Sequence, residues 1–422
     1  MENEKQPDDW RYILLNGQGK QVQVKNAQFD KGELKSIEGL TPFERKDEQG
    51  TFLAPTVADA YQAMRNIYVE FFKKPFKNLL ILSGAGSSID VGGPLMFQLW
   101  NKVEAEYKRG EVDGFAIIRE KVNFTSTNKD LEALLSQMDG VSKFVEDREI
   151  EIEGEKILLS AIKNRIFEII KTACTLRKPQ GFYPHKVLLE KLLQRKQTSP
   201  RVKVFTLNYD LMFEFAATDV NAIVIDGFSF TYPRTFSGRL FDYDIVQREG
   251  SKLQEEDNFI HRVFHYHKLH GSLNWERRGD QVVISESPVK PLMVYPREAK
   301  YEDSYEQPFF EMMARFQRSL RINNDTVLIC IGYSFNDKHI NAAIEEALNQ
   351  NPSFRLAIIN PQFDSAWTST SLQAIKRAAE DSERILLISE RFQDFARHFP
   401  EIMTYDTDNY VTINLKNDQP KN

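Results

Sequence analysis

The feature that most constrains this chain is a series of short apolar runs that do not alternate with polar residues. They are "LLILS" at 79–83, "VKVFTL" at 202–207, "AIVI" at 222–225, "TVLICI" at 326–331 and "FRLAII" at 354–359. A strand with one wet face alternates apolar and polar residues, whereas a run without alternation needs cover on both faces, as in parallel sheets flanked by helices. Helical periodicity fills the intervals between the runs, so the sequence predicts an α/β fold with a doubly wound parallel sheet. Ligands of such sheets sit beyond the carboxyl ends of the strands. The residues just after each run are therefore the candidates for function.

The intervals set the organisation. Residues 1–55 are polar with strand-like pieces such as "YILL" and "VQV", and read as an extension that packs on the main domain or meets a partner. "TVADAYQAMRNIYVEFFKK" (56–74) places Ala60, Ala63, Met64, Ile67 and Phe71 on one helical face leading into the first strand. The interval from about Leu95 to Pro179 is far longer than one crossover helix needs and is helical in pattern, which predicts an inserted helical subdomain. Residues from about 228 to 266 read as loops or a small hairpin. The expected layout is an extension (1–55), a Rossmann-like domain (56–392, insertion about 95–179), and a C-terminal helix with a polar tail (393–422).

Bulk properties exclude several classes. With 55 basic and 61 acidic residues among 422, the net charge of −6 gives no general attraction for nucleic acid or an anionic membrane. Cys174 and Cys330 are isolated from each other, which excludes a thiolate zinc site and a disulfide framework. No zinc is expected. The start "MENEKQPDDW" has no apolar signal core and no segment approaches the ~18 apolar residues of a membrane span, so the cytoplasm is the expected location.

Five strand-end stretches carry candidate chemistry. Gly84, Ala85 and Gly86 follow the first strand; small residues there let backbone N–H groups approach an anion such as a pyrophosphate, and Ser87 continues the loop. A bare turn explains Gly-x-Gly equally well, and a dehydrogenase fingerprint is absent because Ile89 stands where the third glycine belongs. "TLNYD" puts Asn208 and Asp210 after the second run, where helix capping is the simpler reading. In "HYHKLHGSLNW", His270 precedes Gly271 on a loop and suits a general base. His265, His267 and His270 are open to a metal reading, but no carboxylate or thiolate at suitable spacing completes the set, and His265 and His267 read as packing or surface residues. "GYSFND" supplies Gly332 and Ser334, with Asn336 or Asp337 as helix cap, and Asn360 follows the last run, placed to bond a ribose hydroxyl or to make a turn.

In this order, over residues 79 to 361, these motifs resemble the sirtuin family. "GAGSSIDVGGP" is similar to its Gly-Ala-Gly-x-Ser loop, "TLNYD" to its Thr-x-Asn-x-Asp and "KLHGS" to its Leu-His-Gly; "PHKVLLEKLL" resembles its histidine before the second strand, although His185 also reads as helix surface. "GYSFND" resembles the bacterial sirtuin-like NAD hydrolases of antiviral defence more than the protein deacylases. Two departures weaken the deacylase reading: the four-cysteine zinc module cannot be built, and Leu95, Met96 and Phe97 stand where deacylases carry Asp-Phe-Arg.

The resemblance implies NAD as substrate and cleavage of its nicotinamide–ribose bond. It assigns Asn208 to the ribose or a water, Asp210 to the nicotinamide carboxamide and His270 to the base. Ala85, Gly86, Ser87 and Ser334 fall to the diphosphate and Asn360 to the adenosine ribose, with Gly84 and Gly332 also counted as cofactor-binding. A non-catalytic sensor of NAD or ADP-ribose and a protein deacylase are the alternatives. An NAD hydrolase must be gated, so a homo-oligomer or a partner is expected, by analogy a HerA-like hexameric ATPase.

Overall fold

The computed structural model describes residues 9–109, 112–126, 129–144, 148–196, 199–247, 259–293, 307–322, 325–365 and 369–400. Thus residues 401–422 of the expected tail lie outside the described residues, as do 248–258 of the irregular interval.

The amino-terminal residues form β1 (Trp10–Leu15), β2 (Gln21–Lys25), a hairpin of β3 (Gln28–Asp30) and β4 (Glu33–Ser36), and β5 (Gly39–Thr41). Helix α1 (Val57–Lys73) opens with a capping box in which Thr56 Oγ1 accepts the Asp59 N–H and the Asp59 carboxylate accepts the Thr56 N–H, a device worth about 1 kcal/mol. It buries Ala60, Met64, Tyr68, Phe71 and Phe72 and feeds β6 (Asn78–Ser83). After the insertion and α6 (Pro184–Leu192) come β11 (Val202–Thr206), α7 (Met212–Asp219), β12 (Ile223–Ile225), β13 (Val263–Lys268) and a small sheet of β14 (Gly271–Arg278), β15 (Gln281–Ile284) and β16 (Pro291–Met293). The chain then runs through α8 (Phe309–Leu320), β17 (Thr326–Ile331), α9 (Lys338–Gln350), β18 (Phe354–Ile359), α10 (Thr370–Asp381), β19 (Ile385–Ile388) and α11 (Phe392–His398).

Among the described residues, ten strands make one sheet in the order β12-β13-β11-β6-β17-β18-β19-β1-β2-β5. The first seven are mutually parallel; β1, β2 and β5 join antiparallel at the β19 edge. This is an α/β protein. Side chains alternate between two cores as the pleat requires. Leu79, Ile81, Val204, Ile329 and Ala357 face α1, α6, α7 and α11. Leu80, Leu82, Phe205, Leu328 and Ile358 face α8, α9 and α10. Burying each Leu or Ile contributes about 1.5–3 kcal/mol.

The insertion between β6 and β11 contains α2 (Met96–Tyr107), β7 (Lys108–Arg109), β8 (Val112–Asp113), α3 (Gly114–Lys121), α4 (Leu131–Phe144), β9 (Glu149–Ile152), β10 (Glu155–Leu158) and α5 (Leu159–Cys174). It has its own core, including Trp100, Val103, Ile118, Leu134, Met138, Ile162 and Ile166, with Tyr209 and Leu273 packed against its margin.

One sequence expectation needs correction. The interval 228–266 is not loop throughout: Val263–Lys268 is a central parallel strand between β11 and β12. Its polar residues concealed it, because His267 and Lys268 are buried.

Candidate functional site

The chain runs from β6 outward through β11 to β13 and resumes at β17 on the other side of β6, so the order of the sheet reverses between β6 and β17. At such a reversal the connecting loops part and leave a crevice at the carboxyl edge.

Strand register places the motifs there. Ser83 is level with Thr206 and Ile331, Thr206 with Lys268, Ile331 with Ile359 and Ile359 with Ile388. The ladder continues one step beyond: Gly84 N–H donates to Ile331 O (3.0 Å), Leu207 N–H to Ser83 O (2.9 Å), Leu269 N–H to Thr206 O (2.8 Å) and Asn360 N–H to Ile388 O (3.0 Å). Gly84, Leu207, Leu269, Gly332 and Asn360 thus share one row, and Ala85, Asn208, His270 and Tyr333 follow in the next. Neighbouring strands are about 4.8 Å apart, which brings residues distant in sequence to one rim.

The glycine loop is a short 3-10 helix, Ala85–Val91. Its glycines answer first to a neighbouring loop: a Cβ at Gly84 would stand 2.7 Å from Gly332 O, one at Gly86 2.7 Å from Gly332 Cα, and one at Gly332 2.2 Å from Ser87 N. Gly332 also has φ +61, which L side chains rarely adopt. Backbone packs on backbone here.

That contact limits the anion reading. Gly84 and Gly86 N–H donate to Ile331 O and Gly332 O, and Ser87 N–H donates to Gly84 O (2.9 Å). Ser87 is buried, its hydroxyl donating to Gly84 O (2.8 Å) and lying 2.7 Å from Ser83 Oγ. These groups brace the loop in this structure, while Ala85 and Ser334 are exposed and Gly86 half-buried.

Asn208 joins β11 to that loop. Its Nδ2 donates to Gly84 O (3.0 Å) and lies 3.2 Å from Ser87 Oγ and 3.1 Å from Ser88 Oγ. Asp210 is buried and accepts from Ser88 Oγ (2.7 Å) through Oδ2 and from Met212 N–H (3.1 Å) through Oδ1, so it ties the loop to α7 as well as starting the helix.

Beneath this pair lies Lys268, only 2% exposed. Its Nζ donates to Tyr209 O (3.3 Å), to Asp210 O, and to Glu214 Oε1 (3.1 Å), while Glu214 Oε2 accepts from Tyr266 Oη (3.1 Å). Burial pushes the Glu214 carboxyl up and Lys268 opposes that push. The sequence reading passed over Lys268; a lysine ending an otherwise buried strand was the available signal.

Three other histidines differ from His270. His267 stacks between Phe205 (4.5 Å) and Phe241 (4.2 Å), and burial holds its imidazole well below the usual range. His265, on the same face, is depressed to about 4 by burial. His185 is not helix surface: it is buried edge-on against Phe213 and Phe392, and desolvation lowers it to about 4. Among the described residues no group of three or more His, Cys, Asp or Glu is arranged to hold a metal.

His270 is half-buried at the rim, its Nε2 3.3 Å from Asp337 Oδ2. The next residue, Gly271, has φ +86 and no room for a Cβ, which would meet Leu292 O at 2.3 Å. Asn360 is half-buried, and its Oδ1 accepts from Gln362 N–H (2.9 Å). Arg391, after β19, forms an ion pair with Asp90 of the 3-10 helix. A cavity of about 330 Å³ borders the rim through Leu211 and Leu273, with Lys171 and Thr175 of the insertion on its other side.

Comparison with known proteins bears on this arrangement. Residues 202–398 match the family model of the SIR2-like domain, a stretch that includes Asn208, Asp210, His270, Gly332 and Asn360 and begins after the glycine loop. A solved Sir2 homologue, a serine-to-alanine mutant in complex with ADP-ribose, is similar at 13% identity, covering 78% of this chain and 94% of that chain with a TM-score of 0.37. No curated protein matches the chain. Among the described residues no helix is long and apolar enough to cross a membrane. Residues 202–398 are thus the part of this chain that is similar to the SIR2-like domain.

Proposed function

We propose that the protein binds NAD across the carboxyl rim and hydrolyses the bond between nicotinamide and ribose, releasing ADP-ribose. The observation that carries this reading is that Asn208 and His270 each lie two residues beyond Thr206 and Lys268, a paired couple at the ends of neighbouring strands, with Asn208 bonded to the glycine loop. A glycosidic bond needs little more than a positioned nucleophile and a base when its leaving group departs neutral.

The roles follow from reach. Asn208 orients the ribose or the attacking water, and Asp210 is adjacent for the nicotinamide carboxamide. As the bond from C1′ to the pyridine nitrogen breaks, its electron pair leaves with nicotinamide. A water oxygen bonds to C1′, and His270 takes the proton that water loses. Ala85, Gly86 and Ser334 lie at the surface of the rim for the diphosphate, with Gly84, Ser87 and Gly332 shaping the loops beneath them, and Asn360 offers its NH2 to the adenosine ribose.

By the resemblance, the protein acts as an NAD-depleting effector of antiviral defence. Its activity is gated by self-assembly or by a HerA-like hexameric ATPase.

The test is to incubate the full chain with NAD and quantify nicotinamide and ADP-ribose, alone and with candidate partners. Wild-type protein is expected to release both in equal amounts, and His270→Ala to reduce the rate by roughly 10²–10⁴-fold. Saturable NAD binding with no nicotinamide released in any of these mixtures would replace the hydrolase with a sensor. Release that depends on an acylated peptide would point to a deacylase.

A further inference from the structure

We infer that Asp337 is a positioning residue that fixes His270 in one tautomer, with the proton on Nε2 and the basic lone pair on Nδ1. This rests on the reading of His270 as the base.

The Asp337 carboxylate faces both the start of α9 and His270. Oδ1 accepts the His339 N–H (3.0 Å) and the Ile340 N–H (3.4 Å) as the N-cap of α9. Oδ2 is 3.3 Å from His270 Nε2, and the Asp337 side chain is 8% exposed against 18% for His270. Backbone amides at a helix start favour an anionic acceptor. A neutral imidazole facing such an acceptor carries its hydrogen on the near nitrogen and leaves the far one to accept a proton.

The loop that presents Asp337 is held firmly. Phe335 is buried with φ +58, an uncommon conformation for a bulky residue that persists only where the surroundings enforce it. Tyr333 Oη donates to Asn341 Oδ1 (2.7 Å), Asn341 Nδ2 donates to Phe335 O (2.8 Å), and the two aromatic rings are 4.5 Å apart. Asn341 belongs to α9, so the helix that Asp337 caps also clamps the loop in front of it. Gly332, at the start of the same loop, touches the glycine loop. One short segment therefore couples the candidate base to the candidate diphosphate site.

The experiment compares wild type with Asp337→Asn. Asparagine is as good an N-cap as aspartate, so α9 keeps its start, but its amide can turn an NH2 toward His270 and reverse the tautomer. Histidine-labelled full chain is examined by long-range ¹H–¹⁵N spectroscopy under alkaline conditions, with the His270 signals identified by their loss in His270→Gln. Wild type is expected to show the Nε2–H form, and Asp337→Asn a shift toward Nδ1–H together with a roughly 10–100-fold loss of kcat and little change in KM. Unchanged His270 signals in Asp337→Asn would overturn the proposal, as would unchanged kcat in an active enzyme. If wild type releases no nicotinamide, the hydrolase reading falls and the tautomer comparison decides the role of Asp337 by itself.

Discussion

The helical insertion and the rim of the sheet bury comparable side chains by opposite means. In the insertion, Trp100, Val103, Leu134, Ile162 and Ile166 fill a core that needs nothing but shape and apolar surface. At the rim, Ser87, Ser88, Asp210 and Lys268 are just as buried, yet each keeps its polar groups hydrogen-bonded across several elements. Apolar residues of the same volume would fill the rim at lower desolvation cost. What the polar set adds is fixed direction: an amide, a carboxylate and a hydroxyl held at set angles around Gly84. The contrast teaches that the insertion is explained by packing and the rim by geometry.

Substitutions can break that contrast. The largest expected effect is at Lys268→Met, which removes the cation from the half-buried Glu214 carboxylate and the donor from two backbone carbonyls; a loss of about 3–5 kcal/mol is expected from the urea midpoint. Adding Glu214→Leu should recover part of it, whereas two independent packing defects would sum. In the insertion, Ile162→Ala is expected to cost about 2–4 kcal/mol through a cavity, with turnover per folded molecule unchanged. A matching loss of turnover would show the two regions to be coupled.

A pH dependence sharpens the role of the buried histidines. His185 and His265, lowered to about 4, and His267, lowered well below the usual range, stay neutral in the folded chain while the unfolded chain takes up protons near 6.5. The unfolded state binds more protons in that window, so stability is lost as pH falls from about 6.5 toward 4. The urea midpoint is expected to fall steadily across the window. Replacing His267 by Phe, between two phenylalanine rings, should flatten the slope; an unaltered slope would assign the acid sensitivity elsewhere.

Much of the frame was legible because apolar runs report burial locally: Thr326–Ile331 and Phe354–Ile359 form strands over the spans read from sequence. The strand Val263–Lys268 was hidden because its polar residues are buried through partners far away in the chain, Phe241 for His267 and Glu214 for Lys268. Asn208, Asp210 and His270 were identifiable as strand-end residues. The partner of His270 was not, since Asp337 reads as a helix cap and is one; its second contact depends on β13 and β17 ending at the same level. Likewise the glycines suggested an anion, while their closest neighbour is another glycine of a loop nearly 250 residues later.

The antiparallel seam between Leu14–Leu15 and Leu387–Ile388 carries a consequence for biosynthesis. Strand β1 leaves the ribosome long before the edge that it must join is made. Until then the side of β1 opposite β2 lacks its partner strand, which makes it open to chaperones and to mispairing between nascent chains.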